Sequence, residues 1–236
     1  MKTLKIISVI TIFLYGLTFP GVAKEKRYDV ESGIIEYAIS ATGNVYGMQI
    51  KEEGASTLIF KDFGELELQK SETKSTTMGR QNITKEMSKY DKDIVYTVDF
   101  DENIIIKANI NEMQKMSEEY KDLKSFLKSN KAKKVGHEKV LGYPCDIWQY
   151  EQAIIWIYKG IPLKSKAEVM GVKRVEVAKK VQFNIKISDS EFKLPNYPIK
   201  SYREVMSGPD SQKGDNNQPS QEEIQQMMKQ FMGGKN

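Results

Sequence analysis

The sequence holds one cysteine and one histidine in 236 residues. A single cysteine cannot close an internal disulfide, so the fold rests on packing and hydrogen bonds. His137 has no cysteine or acid at ligand spacing, which leaves no metal centre to expect. No serine or cysteine stands beside it in a nucleophile motif, and no glycine-rich phosphate loop is present. The 36 Lys and Arg nearly balance 32 Asp and Glu, so the concentrated basic face that nucleic acid requires is missing. These absences leave no catalytic residue, no cofactor-binding residue and no metal ligand to name, and the chain reads as non-enzymatic with no cofactor.

The one long apolar run lies at the start. Lys2 and Lys5 precede Ile6 to Phe19, and Gly21 and Ala23 follow at small-residue positions. This is the pattern of a secretory signal over 1–23, cleaved before Lys24. The run is short of the roughly 20 residues a spanning helix needs. No second such run follows, so no transmembrane span is expected in the mature chain. Its net charge is +2, because the removed segment carries two lysines and no acid. The remaining residues suffice for one domain with a real core, expected over 24–206 and periplasmic or secreted.

Short apolar runs separated by turn residues dominate that domain. Val30 to Ile39 is extended, Gly43-Asn44 reads as a turn, and Val45 to Ile50 returns. Glu52-Glu53-Gly54 reads as the next turn, before Ser56 to Phe60. Glu65-Leu66-Glu67-Leu68 alternates strictly, which predicts one wet face and one buried face. Gln81 to Tyr90 is polar enough for an edge strand or a loop. Asp91-Lys92-Asp93 turns the chain into Ile94–Phe100, and Asp101-Glu102-Asn103 turns it into Ile104–Ile106. Asp99, Asp101 and Asn103 have the spacing that opens a calcium loop. Ile104 replaces its glycine and Ile110 its bidentate glutamate, so a polar hairpin turn is the expectation.

A helix is expected at about 111–129, where Met113, Met116, Tyr120, Leu123 and Leu127 step by three and four. The stripe packs on a sheet or touches a ligand directly; its methionines suit an irregular surface. Lys128, Lys131, Lys133 and Lys134 crowd its end, either complementing the helix dipole or docking on anionic lipid. His137 follows in what reads as a charged turn.

Val140 to Trp148, with Ala153 to Tyr158, is the most apolar and aromatic stretch, and it reads as a hairpin. It contains Cys145 and both tryptophans, Trp148 and Trp156. Alternation places Tyr143, Cys145 and Ile147 on one face and Asp146, Trp148 and Tyr150 on the other. Cys145 is either a reactive thiol or an interior side chain; its apolar neighbours favour the interior. Gly160-Ile161-Pro162 reads as a turn, Leu163 to Met170 as a strand, and Val172 to Ile187 as a long strand. Val175, Val177, Val181, Phe183, Ile185 and Ile187 are all odd-numbered, which predicts that odd positions face the core. Asp189 to Pro198 closes the domain, with Phe192, Leu194 and Tyr197 as plugs.

Four pieces, Ser32-Gly33-Ile34-Ile35-Glu36-Tyr37, Phe60-Lys61-Asp62-Phe63-Gly64, Val140-Leu141-Gly142-Tyr143-Pro144-Cys145 and Asp189-Ser190-Glu191-Phe192-Lys193-Leu194-Pro195, occur in order. In this they resemble an exported bacterial family of unknown function, which is similar to lipoprotein carriers of the LolA and LolB type. The resemblance implies a mainly β (α+β) fold: a curved antiparallel sheet, or half-open barrel, packed on one central helix. It carries over no catalytic residue.

Residues 207–219 are rich in Gly, Pro, Asn, Asp, Gln and Ser and read as a flexible linker. Over 220–233, Ile224, Met227, Met228, Phe231 and Met232 form the stripe of a tethered amphipathic helix, ended by Gly233-Gly234. The function to expect is an exported binding or carrier protein for an apolar ligand such as a lipid or acyl chain. Met113, Met116, Tyr120, Trp148 and Trp156 would touch that ligand. The alternative is an interaction module of the cell envelope that holds a protein partner through Ile224, Met227, Met228 and Phe231.

Overall fold

The structure is a computed structural model, and it describes residues 26–45, 47–77, 79–110 and 132–206. The expected signal at 1–23, the central helix at about 111–129, and the linker and helix at 207–233 lie outside the described residues. Two units divide the chain; among the described residues, Lys26 to Ser201 belong to the first and Tyr202–Met206, one short helix, to the second.

The first unit is one twelve-stranded sheet. The strands are β1 (Gly33–Val45), β2 (Met48–Lys61), β3 (Leu66–Thr77), β4 (Arg80–Asp91), β5 (Ile94–Asp99) and β6 (Ile104–Asn109). Further along the chain come β7 (Lys133–Val140), β8 (Tyr143–Tyr150), β9 (Ala153–Tyr158), β10 (Ile161–Val169), β11 (Val172–Phe183) and β12 (Ile199–Ser201). The order across the sheet is β12-β6-β5-β4-β3-β2-β1-β11-β10-β9-β8-β7, with β12 and β7 as open edges. Every pair is antiparallel except β12 with β6. Thus the mainly β, antiparallel and open character expected from the sequence is present.

Turn chemistry explains the meander. Leu141-Gly142, Lys159-Gly160 and Met170-Gly171 are two-residue loops with both φ angles positive, between 48° and 85°. Such loops match the twist of antiparallel hairpins, and glycine at the second position avoids the Cβ clash. The calcium-like segment is indeed a hairpin turn: Asp99 Oδ1 accepts from the Asp101 and Glu102 amides, both at 3.0 Å.

Several turn expectations are overturned. Glu52-Glu53-Gly54 lies inside the 14-residue β2, because Glu52 is buried against Arg174 and Gly54 is held by tight strand packing. A Cβ on Gly54 would stand 2.4 Å from the Glu72 carbonyl oxygen, so the glycine serves close approach rather than a bend. Gly43-Asn44 likewise ends β1 and the turn follows it, with the Gly47 amide donating to Asn44 Oδ1 at 2.8 Å. The segment Gln81 to Tyr90 is not a loop but part of β4, paired with β3 along its whole length and with β5 from Met87 onward. Ile161-Pro162 opens β10, and His137 sits in strand β7 opposite Asp146.

The long strand β11 corrects the odd-position rule. Val172, Arg174, Glu176 and Ala178 are the buried positions; Val175 and Val177 are only half-buried. The β1 pairing slips by one residue at Lys179: Tyr37 faces Ala178, whereas Glu36 faces Lys180. This bulge exchanges the faces. Beyond it, the odd residues Val181 and Phe183 do join the core. The first half of the strand therefore follows even numbering and the second half odd.

The main core gathers Tyr28, Ile35, Tyr37, Leu58, Phe60, Cys145, Trp156, Ile161 and Leu163, with Phe183 and Tyr143 against it. Phe183 stacks on Tyr158 at 5.7 Å and meets Tyr143 edge-on at 5.2 Å. The reverse face of β2 and β3 is covered too, where Ile59 and Leu68 pack on Phe192, with Leu194 alongside. Tyr197 meets Phe100 at 6.4 Å. The closing segment thus plugs as expected.

Deleting Lys179 should return β11 to strict alternation and turn Val181 and Phe183 away from the core. Urea denaturation should show a loss of at least about 3 kcal/mol, comparable with Phe183→Ala. Lys179→Ala, which keeps the bulge, should stay within about 0.5 kcal/mol. Equal effects of the deletion and the alanine variant would contradict the bulge.

Candidate functional site: a polar belt on the core face

Define the core face as the one that bears Tyr37, Leu58 and Phe60. Along β2 it reads Ile50, Glu52, Gly54, Ser56, Leu58, Phe60; along β11 it reads Val172, Arg174, Glu176, Ala178 and then Val181 and Phe183. Apolar side chains occupy both ends and polar ones the middle. On β3 the same face is polar throughout: Glu67, Gln69, Ser71, Thr73, Ser75 and Thr77. Of these, Glu67, Ser71, Thr73 and Ser75 are buried. The alternation at Glu65 to Leu68 therefore does not separate wet from buried: Glu67 is 0% exposed and Leu68 is 2% exposed.

Register brings the charges of this belt together. Ala41 on β1 faces Glu52 on one side and Arg174 on the other. Over the small alanine the two long side chains meet, and Arg174 Nη1 donates to Glu52 Oε1. Arg174 is 1% exposed and Glu52 is 3% exposed. One row along, Ser56 donates to Glu176 Oε1 across β1. Ser56 also faces Ser71, which faces Glu86 on β4, and the Ser71 hydroxyl donates to Glu86 Oε2 at 3.3 Å. Three carboxylates thus share one guanidinium.

The electrostatics follow from that count. Burial pushes the Glu86 carboxyl up to about 7; Arg174 and Ser71 oppose the rise, and Glu52 and Glu176 add to it. Burial also raises Glu176, against the pull of the Ser56 hydrogen bond and Arg174. Desolvation disfavours the charged form, and a neighbouring like charge adds to that.

A further buried carboxylate, Glu67, lies at the end of the belt. Tyr28 donates to its Oε2 at 2.6 Å, and Arg27 Nη2 stands 3.3 Å from the same oxygen. Burial, then Glu67, raises the Tyr28 phenol well above its ordinary value, so it stays a neutral donor. The residues just after the expected cleavage site are anchored further by main-chain bonds from Tyr28 to Phe63 and from Asp29 to Lys159, both at 3.0 Å.

The sequence-predicted site residues divide. Met113, Met116 and Tyr120 lie outside the described residues, as do Ile224, Met227, Met228 and Phe231. Trp148 faces Ile155 while Trp156 faces Ile147, so the two indoles leave opposite faces of the β8–β9 ladder. Trp148 continues the row Glu176–Ser165–Ile155. Trp156 belongs to the apolar core, where its Nε1 donates to Glu138 Oε2 at 2.5 Å and Lys164 Nζ lies 4.1 Å from its ring centre. Sequence reasoning missed Arg174, Glu52, Glu86 and Glu176 altogether. Only the interruption of apolar alternation by charge in β2 and β11 marked Glu52, Arg174 and Glu176, and nothing marked Glu86 on β4.

Cys145 is 1% exposed, and burial raises its thiol above the ordinary value, which fits the interior reading. His137 is an exposed partner of Asp146, at 2.8 Å. Among the described residues, no three His, Cys, Asp or Glu side chains are placed to hold a metal ion. No described helix is long and apolar enough to cross a membrane.

The profile of a family described as a domain of unknown function, DUF4412, matches residues 48–195. The chain belongs to this family. No curated protein matches the sequence significantly. Among solved structures, the chain is similar to an uncharacterised conserved protein from Thermus thermophilus, at 7% identity and a TM-score of 0.39, covering 70% of this chain and 90% of that one. LprF from Mycobacterium bovis is similar at 7% identity and a TM-score of 0.32, over 72% and 91%. A putative outer membrane lipoprotein-sorting protein domain from Vibrio parahaemolyticus is similar at 10% identity and a TM-score of 0.21, over 71% and 92%. The resemblance read from the sequence to a family of unknown function agrees with the family match over 48–195.

Glu86 gives a pH signature. Its folded value lies above the unfolded one, so its contribution to stability is complete below about pH 4.5 and is lost as pH rises through 7. Glu86→Gln should remove that contribution. Subtracting its urea-unfolding curve from the wild type's should leave a decline of about 2 kcal/mol between pH 4 and pH 9. A flat difference would mean that Glu86 ionises freely. Thiol labelling of native protein at Cys145 should be slow and should accelerate greatly in denaturant.

Proposed function

We propose that the chain is an exported, periplasmic, non-enzymatic binding or carrier protein whose ligand has a long apolar part, a lipid or acyl chain. The observation that supports this reading is the make-up of the core face. A sheet built for stability alone would fill that face with hydrocarbon, because buried polar groups cost free energy. Here buried polar side chains separate an apolar cluster around Leu58 and Phe60 from a second one, formed by Ala41, Val45, Ile50 and Val172. The same face continues over β5 and β6, where Val95 and Ile106 are half-buried. An open sheet with such a face offers one molecule both hydrocarbon contact and hydrogen bonds. In this reading the domain spans 24–206 after removal of 1–23. A second reading gives 220–233 to an envelope protein partner; it is favoured by the apolar stripe that Ile224, Met227, Met228 and Phe231 form at helical spacing.

Native mass spectrometry of protein exported through its own leader should show a chain beginning near Lys24 and carrying a lipid-sized mass. The purified protein should also enhance the fluorescence of an apolar reporter such as N-phenylnaphthylamine. A ligand-free spectrum combined with no reporter response would overturn the apolar-ligand reading.

A further inference from the structure

Arg174 forms its described hydrogen bond through Nη1, to Glu52. Its Nε and Nη2 are buried and have no hydrogen-bond partner, in a residue only 1% exposed. These two nitrogens form one edge of the guanidinium plane. Their N–H groups point in parallel, in the spacing that matches two oxygens of a carboxylate or phosphate. A charged donor pair buried without an acceptor costs more than a neutral one, and this edge holds two of the four buried side-chain polar atoms without a partner among the described residues.

The sheet neighbours of Arg174 are small. On the sheet surface Arg174 is flanked by Ala41 on β1 and Ala167 on β10, the smallest side chains with a Cβ. Both neighbours are buried. Charge does not forbid an anion either. Glu52 is engaged by Nη1, and Glu86 and Glu176 are both held toward the neutral form by burial. Glu52 meets the guanidinium through Nη1 alone, and the second edge still seeks oxygen.

We propose that the Nε–Nη2 edge of Arg174 seats the oxyanion, carboxylate or phosphate, of an amphiphilic ligand. The apolar chain of that ligand then lies along the core face. This rests on the apolar-ligand reading for the chain and on the orphan guanidinium edge for the head. The polar belt thus sets which end of the ligand goes where, and a neutral lipid of the same length leaves the edge unsatisfied.

The test uses the full mature protein at pH 6 and calorimetric titration with four probes below their aggregation limits: dodecanoate, dodecyl phosphate, dodecanol and inorganic phosphate. The two anionic amphiphiles should bind at least about tenfold more tightly than dodecanol, since a charge-assisted bidentate pair is worth that much. Arg174→Lys keeps the charge opposite Glu52 but removes the fork, so it should weaken both anionic amphiphiles about tenfold and leave dodecanol unchanged. If dodecanol binds wild type as tightly as dodecanoate, the seat is overturned and the apolar reading survives. If no twelve-carbon probe binds, the apolar reading falls. Inorganic phosphate binding as tightly as dodecyl phosphate, and weakened by Arg174→Lys, would establish the seat for a free anion and overturn the amphiphile. The wild-type comparison stands even if the lysine variant fails to fold.

Discussion

The ion pair between Arg174 and Glu52 is the constraint around which the middle of the sheet is arranged. Two charges with so little solvent contact must be matched to each other, because their desolvation is costly and removing either partner strands the other. The match depends on Ala41: a larger residue between them on β1 would hold the side chains apart. It depends also on Gly54 one row away, where the backbone of β3 approaches too closely for a Cβ. The charge arrangement then dictates the state of its neighbours. With Glu52 already satisfying one side of the guanidinium, Glu86 and Glu176 are surplus acids in a poorly solvated space, and both are driven toward the neutral form.

The sheet is covered differently along its width. Near Phe192 both faces of β2 and β3 are buried: Ile59 and Leu68 pack on that ring on one side, and Glu67 is enclosed on the other, whereas Lys70, Glu72 and Lys74 further along β3 are exposed. A strand buried on both faces normally reads as a continuous apolar run. Here the start of β3, Leu66 to Leu68, reads as alternating because its enclosed second face is polar, not because it is wet. That one difference turns an ordinary amphipathic strand signal into the wall of an interior hydrogen-bonding surface.

Much of the fold was legible in residue order. The hairpins at Met170-Gly171 and Asp101 to Asn103, the plug at Phe192, and the buried Cys145 all followed from turn chemistry or alternation. What was not legible shares a cause. Glu52-Glu53-Gly54 looks like a turn because charge and glycine favour solvent and bends; only Arg174, 122 positions further along the chain, makes Glu52 an interior group. The bulge at Lys179 is equally invisible, since it arises from pairing with β1 and leaves no mark on local composition. Val175 and Val177 were misplaced for that reason, while Val181 and Phe183 were placed correctly. The candidate site was the least readable part, because side chains from β2, β4 and β11 meet only through register. Trp148 and Trp156, close in sequence and alike in chemistry, are parted by the same register.

The strand order has a consequence for how the chain closes. From β1 to β6 and from β7 to β11, each strand pairs with the strand next to it in sequence, so both ladders assemble from local hairpins. One long antiparallel seam joins them, β1 with β11, running from Gly33 beside Phe183 to Gly43 beside Val172. The entropy of closing that large loop is met chiefly at this seam, beside the three-residue pairing of β12 with β6, and it grows only logarithmically with the length of intervening chain. Segments inserted between β6 and β7 therefore tax assembly very little. The architecture can accept long or short connectors there while the seam, and the ion pair that crosses it, keep the same geometry.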